Sequence, residues 1–465
     1  MKKHIFKLRI YGYLFLILCT FAQNLISTDW ISTTDQDWDT ASNWDPAIVP
    51  NGFSDVANID AGVLPVIGYA ANLTVALSAL GLNQASSKVI LGNGKSKGTL
   101  NVYGSINANG DSSTDGGIKV ANGTLNFQNG FSGNSGTGLG RCVFYSNIRS
   151  PYNVINFLPG SSAGTNMVVM DDFSSGFVPM GALNIKEDIT LQAVSLSSPS
   201  MSIAIDAGKT LTIDDLGNFT VGNIIGGTIT GGGSFAKDGG FGLSLQGSNS
   251  YAGGTTIKNG MLTLSSLSGL GSGAVEVENG GQLNLQSFYS PVPFSNSLTL
   301  NGAGTTGMGA LFATFSAECT GPITLGSNAT IGSFMGTLTL SNISSAAQHD
   351  LTISGDGNTT INGTVALSGG TLNKQGSGKL TVSGLINIEI NPTEASKIVV
   401  AGTNSVQIGG CTINVVQHAG SYPTTGRYMI VQGPYEGEFN PVVTGGTMPF
   451  SISYEPNAVY LNFGA

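Results

Sequence analysis

Charge is scarce in this chain. Only 10% of its 465 residues are Asp, Glu, Lys or Arg, where a typical soluble domain has about a quarter. Acids outnumber bases, 27 to 18, and four of the bases (Lys2, Lys3, Lys7, Arg9) fall in the first ten positions. Beyond residue 22 the arginines are Arg141, Arg149 and Arg427. Such a chain lacks the clustered cations that nucleic-acid binding requires, so that function class is excluded. Histidine is scarcer still: past the first residues there are His349 and His418, and neither sits at zinc-ligand spacing. Of the four cysteines, the three beyond residue 22, Cys142, Cys319 and Cys411, are far apart and odd in number, so they read as small buried apolar side chains rather than a disulfide or metal site. Helical periodicity is nearly missing, because Gly and β-branched residues interrupt almost every window. Even the Ala-rich stretch 67–82 is expected to be strand, since Leu73-Thr74-Val75 alternates and Gly68 and Gly81 bound it. The three tryptophans, Trp30, Trp38 and Trp44, all lie near the start, so no recurring Cys–Trp framework of immunoglobulin sandwiches is present. No propeller-blade signature recurs either.

What fills the gap is Gly (68 residues), Ser, Thr and Asn, interleaved with Leu, Ile and Val. With 40% hydrophobic residues at regular intervals, the chain has enough apolar surface to pack and is not a disordered linker. One short unit returns: Gly98-Thr99-Leu100-Asn101-Val102, Gly123-Thr124-Leu125-Asn126-Phe127, Gly260-Met261-Leu262-Thr263-Leu264 and Gly281-Gln282-Leu283-Asn284-Leu285. Further copies begin at Gly336 and Gly370, the last ending on Lys374. Each alternates like a half-buried strand, and its opening Gly suits the positive φ of a tight turn. The first two copies are 25 residues apart and the next two 21, the length of one solenoid coil. One such strand cannot hide its apolar side alone, but stacked coils bury it in a column and pair the backbone. The inward positions are then Leu100, Val102, Leu125, Phe127, Leu262, Leu264, Leu283 and Leu285, with Asn and Thr between them facing solvent. An all-β, parallel β-helix (β-solenoid) over residues 61–465 follows. Residues 23–60, with the Trp cluster, are expected to cap its first coil; a sugar-binding aromatic platform is the lesser reading.

Residues 1–22 have the layout of a secretory signal: a basic start, a short apolar stretch from Tyr11 to Phe21, and small residues before a cleavage point after Ala22. Its removal leaves 14 basic residues against 27 acidic ones, a net charge of −13. No later segment reaches the roughly 20 apolar residues of a membrane-spanning helix.

Residues 231–264 carry a longer pattern. Gly231-Gly232-Gly233-Ser234-Phe235-Ala236-Lys237-Asp238-Gly239 is followed by Leu243-Ser244-Leu245-Gln246-Gly247, then Asn249-Ser250-Tyr251-Ala252-Gly253-Gly254-Thr255, then Gly260-Met261-Leu262. This closely resembles the autotransporter-associated β-strand repeat of bacterial autotransporter passengers. A partial copy runs from Gly369 to Gly384, without the Asn-x-Tyr-x-Gly-Gly-Thr half. The stretch from Gly426 to Val431, with Gly437-Glu438-Phe439 and Ala458-Val459-Tyr460-Leu461, is similar to the last coils of such passengers. The resemblance implies a right-handed parallel β-helix, exported and either displayed at the bacterial outer membrane or released. Unlike an autotransporter, the sequence ends without a run of membrane-barrel strands, so a passenger lacking its own translocator, or a fragment, is expected.

Three kinds of segment carry residues suited to chemistry. Gly160-Ser161-Ser162-Ala163-Gly164 matches a nucleophile-elbow string but lacks the strand-to-helix setting and reads as a turn. Asn107 to Ile118 loosely resembles a calcium loop but has Ser112 where Gly is needed and Ile118 in place of the closing Glu. Acid pairs occur at Asp171-Asp172, Glu187-Asp188 and Asp214-Asp215. Arg149, about one coil before Asp171, can stack on that pair, which is the sharpest version of a polysaccharide lyase or hydrolase. The solvated-turn reading is preferred, and Asp214-Asp215 is expected to be a turn after a strand ending at Ile213. No catalytic, cofactor or metal residue is therefore assigned. The expected function is structural and adhesive, with a host or neighbouring cell surface, glycans included, as partner. A carbohydrate-active enzyme or polysaccharide-binding protein on the same scaffold is the alternative.

Overall fold

The computed structural model describes residues 26–59, 65–82, 88–93, 95–103, 106–108, 117–120, 123–127, 131–133, 142–146, 154–159, 167–171, 181–191, 193–196, 199, 201–215, 223–266, 269–286, 293–402, 404–444 and 448–464. Residues 1–22, expected as a secretory signal, lie outside them. Among the described residues the chain is a β-solenoid of stacked parallel coils, and the one helical element is a 3-10 turn at Ala41–Asn43. The chain forms two compact units, one up to Val168 together with 172–180, the other Gly181 onward together with 169–171. The span 61–465, expected as a single solenoid, thus falls across both.

In the first unit the repeats stack in the register their spacing implies. Gly98–Val102 lies parallel to Gly123–Phe127, residue on residue from Gly98↔Gly123 to Val102↔Phe127. Leu73–Leu77 flanks the pair on one side and Val154–Phe157 on the other. Two interior columns result: Val75, Leu100, Leu125 and Ile155, and Leu77, Val102, Phe127 and Phe157, all at most 1% exposed. The outer face carries Asn101, Asn126 and Asn156. Their amides chain together, each Nδ2 donating to the preceding Oδ1 at 2.7 Å. At the start, Ser27–Trp30 pairs parallel with Val56–Ile59 and antiparallel with Trp44–Asp45. Trp30, Trp38 and Trp44 are 3%, 0% and 1% exposed. Buried rings cannot stack on a sugar, so the platform reading is corrected: the three rings pack on one another beside the strand Ser27–Trp30.

The second unit repeats the logic. Gly260–Leu264 pairs with Gly281–Leu285 from Gly260↔Gly281 to Leu264↔Leu285, and Leu262, Leu264, Leu283 and Leu285 are fully buried. Two outer positions depart from expectation: Thr263 and Asn284 are also buried. On the Gln282 strand, segments from the following coil fold over that face. Thr306 Oγ1 donates to Gln282 Oε1 at 2.8 Å and Thr314 Oγ1 to Asn284 Oδ1 at 2.9 Å. The strand read as ending at Ile213 continues to Asp215, in register with Ser234–Gly239. Asp214-Asp215 is therefore strand and not a turn, because the neighbouring strand is long enough to pair both residues. At the far end, Gly426–Gln432 turns antiparallel to Ala458–Phe463, which pairs antiparallel with Phe450–Glu455.

The pattern over 231–264 resolves into contacts between coils. Asn249 is buried, with Oδ1 accepting Ile229 N–H at 2.7 Å and Nδ2 donating to Gly269 O at 2.5 Å, so one amide ties a coil to both neighbours. Tyr251 plugs the interior, its hydroxyl 2.7 Å from Thr255 Oγ1. Gly254 has φ +92°. Lys237 occupies an inward position between Ile213 and Ile257 and is fully buried. Its ammonium escapes the apolar column by reaching the turn, bonding Asp238 O, Gly239 O (3.0 Å) and Asn259 O (3.4 Å). Lys374 does the same between Ile353 and Val400, bonding Gln375 O (2.5 Å) and Gly376 O (3.0 Å). Desolvation holds its pKa below the usual lysine range.

Removing Asn249 strands two buried backbone groups at once. Asn249→Ala is expected to destabilise the second unit by about 2–3 kcal/mol, the cost of unsatisfied buried polar groups. Amide exchange at Ile229 should accelerate with it. A denaturation midpoint and Ile229 exchange rate equal to the parent's would refute this role.

Candidate functional site

Between the strands of the second unit run connectors of five, five, seven and eight residues: 346–350, 367–371, 391–397 and 418–425. Stacking fixes the strands, since their inward side chains must stay in column, but leaves a connector free to lengthen. The longer ones stand around a cleft of about 770 Å³. Its walls include Gln348, Thr371, Glu389, Asn391, Lys397 and His418.

Glu389 and His418 meet side by side in its lining, Oε2 to Nε2 at 2.9 Å. The carboxylate side chain is 13% exposed and the imidazole 54%. Glu389 is set by its strand Leu385–Ile390, where alternation turns Ile388 and Ile390 inward and Glu389 outward. The parallel neighbour Thr412–Gln417 brings His418 alongside, and His418 N–H donates to Ile390 O at 3.0 Å.

The wall at 391–397 is braced from within. Asn391 Oδ1 accepts the Thr393 and Glu394 N–H groups, each at 2.9 Å. Ser396 N–H donates to Glu389 O at 2.8 Å, and Glu389 N–H donates to Ser396 Oγ at 2.9 Å. Tyr428 clamps the wall from below, its hydroxyl donating to Asn391 O at 2.7 Å. The Tyr422 hydroxyl lies 2.9 Å from Ile390 O and 2.8 Å from His418 O. Burial pushes both phenols above their usual range, so they stay protonated donors. Arg427 is directed to Glu455, Nη1 to Oε1 at 2.5 Å, and lies 4.0 Å over the Tyr460 ring.

The residues singled out from sequence fare differently. His418, which sits at no zinc-ligand spacing in the sequence, lines the cleft. His349 has Nδ1 3.0 Å from Ser345 Oγ and 3.2 Å from Leu325 O, a bracing position. Glu187 accepts from the Lys209 ammonium, and Asp188 Oδ1 accepts Thr210 N–H at 2.8 Å, so this acid pair stitches one coil to the next. Cys319 and Cys411 are buried free thiols, pushed up to about 12 by burial. Arg149, Asp172, the 160–164 string and most of the 107–118 loop lie outside the described residues, and of Asp171 only the strand backbone Met167–Asp171 is described. Among the described residues no group of three or more His, Cys, Asp or Glu gathers as metal ligands. Sequence reading missed Glu389, Asn391 and Lys397; the available signal was the break in coil length after Ile390. The chain matches no protein-family model and no curated protein.

Proposed function

We propose that this chain is an exported structural and adhesive protein of the autotransporter-passenger type, displayed at or released from a bacterial surface. The observation that supports it most is the 231–264 pattern. Its Asn249, Tyr251, Gly254 and Lys237 each serve coil stacking, as expected of a repeat whose task is to build a scaffold. The Asn101–Asn126–Asn156 ladder adds a regular polar face of the kind an adhesive surface uses. The basic, apolar and small-residue order of positions 1–22 supports export.

A carbohydrate-binding role on the same scaffold is favoured by the braced polar cleft at Glu389 and His418. It is a refinement of adhesion rather than a rival to it.

Expressed with an epitope tag in a Gram-negative host, the chain is expected to lose residues 1–22, seen by N-terminal sequencing. It should then be found outside the cytoplasm and should confer attachment to cells or matrix. An unprocessed chain that remains in the cytoplasm would overturn the reading.

A further inference from the structure

We propose that the cleft along connectors 346–350, 367–371, 391–397 and 418–425 binds a linear, uncharged oligosaccharide lying along the stack, with Glu389 and His418 as its principal polar contacts. The proposal rests on the adhesive reading above and names its ligand class.

Shape comes first. The cleft crosses four successive coils. Neighbouring coils lie about 4.8 Å apart, close to the length of one sugar unit in an extended chain. A glycan along the stack therefore meets a new row of side chains at each unit. The 770 Å³ volume falls within the range of small-ligand clefts.

Chemistry comes second. A sugar hydroxyl both donates and accepts, and the lining offers both: carboxylates at Glu389 and Glu394, the Gln348 amide, the His418 imidazole and the Thr371 hydroxyl. The charged lining is balanced, Glu389 and Glu394 against Lys397 and Arg427, and Arg427 is already engaged by Glu455. An acidic polymer would meet two carboxylates with no surplus of cations to offset them. Tyr428 is only 7% exposed, so recognition runs through hydrogen bonds rather than ring stacking.

Preorganisation comes third. The 391–397 wall is held by bonds at Asn391, Ser396 and Tyr428 whether or not a ligand is present. A ligand then loses little of its binding energy to ordering the protein.

The test is calorimetric titration of the purified protein with cellohexaose, laminarihexaose and maltohexaose, and with hexagalacturonate as the charged probe. At least one neutral hexasaccharide is expected to bind saturably. Glu389→Gln and, separately, His418→Ala should each weaken it about tenfold or more, the worth of a hydrogen bond involving a charged or strongly polar group. His418 is largely exposed, so its variant is expected to keep the parent melting temperature. Three results overturn the proposal: no neutral probe binds, hexagalacturonate binds more tightly than all of them, or both variants bind like the parent. Cell attachment that persists in the His418→Ala protein with sugar binding lost sinks the cleft as the adhesive site and leaves adhesion standing. A parent protein that binds sugar but stays in the cytoplasm sinks the export reading and leaves the cleft standing.

Discussion

Gly123→Ala is expected to destabilise the first unit by about 3 kcal/mol or more, at the upper end of what overpacking costs. A methyl group at Gly123 would lie 2.0 Å from Gly98 O, and one at Gly98 would lie 2.1 Å from Ile67 O. These are backbone atoms of neighbouring strands, and they cannot rotate aside as a side chain would. To make room, one coil must lift from the next, which lengthens the ladder from Gly98↔Gly123 to Val102↔Phe127 and opens both interior columns. Gly240→Ala is the control: its added methyl meets nothing within 4 Å, so a change within about 0.5 kcal/mol is expected. Hydrogen exchange read strand by strand separates the outcomes. Fast exchange across Gly98–Val102 and Gly123–Phe127 supports close approach as the reason for glycine; equal, small effects at both sites would refute it.

That result bears on what could be read in the residues beforehand. The repeat spacing carried the register: copies 25 and 21 residues apart pair glycine to glycine. The inward Leu, Val and Phe positions followed, because alternation admits only two faces. The reason for the opening glycine did not follow. Positive φ holds at Gly260 and Gly336, but Gly98, Gly123, Gly281 and Gly370 owe their identity to a carbonyl from the coil before. No local pattern distinguishes the two, since the carbonyl belongs to a residue some twenty or more positions away. Lys237 and Lys374 were unreadable for a related reason: only the turn beyond the strand, with its free carbonyls, makes an inward lysine tolerable. The cleft was least legible. Glu389 and His418 are 29 residues apart, one an outward position of a strand and the other the first residue of a connector that does not repeat. Periodicity finds what stacking repeats, and a site built from unequal connectors has no period.

At the start of the chain, Trp44→Ala is expected to cost about 3–5 kcal/mol, as for other fully buried large aromatics. Trp44 stands edge-on to both Trp30 and Trp38, ring centroids 5.0 and 4.6 Å apart, and its Nε1 donates to Trp38 O at 3.0 Å. Truncation therefore leaves a void between two large rings and a carbonyl without its donor. Trp44→Phe fills most of the void and should lose only about 1–2 kcal/mol. In a solenoid each coil is held chiefly by its neighbours, so damage at an end should fray inward rather than spread evenly. Ser27–Trp30 and Val56–Ile59 are expected to lose exchange protection first, and Thr412–Gln417 to keep its own. The strand Trp44–Asp45 also covers one edge of Ser27–Trp30. Loosening it exposes a strand edge that another chain can pair with, so Trp44→Ala should form concentration-dependent oligomers that Trp44→Phe does not. Uniform loss of protection, or a monomeric Trp44→Ala protein of parental stability, would show that the tryptophans fill space without closing the coil end.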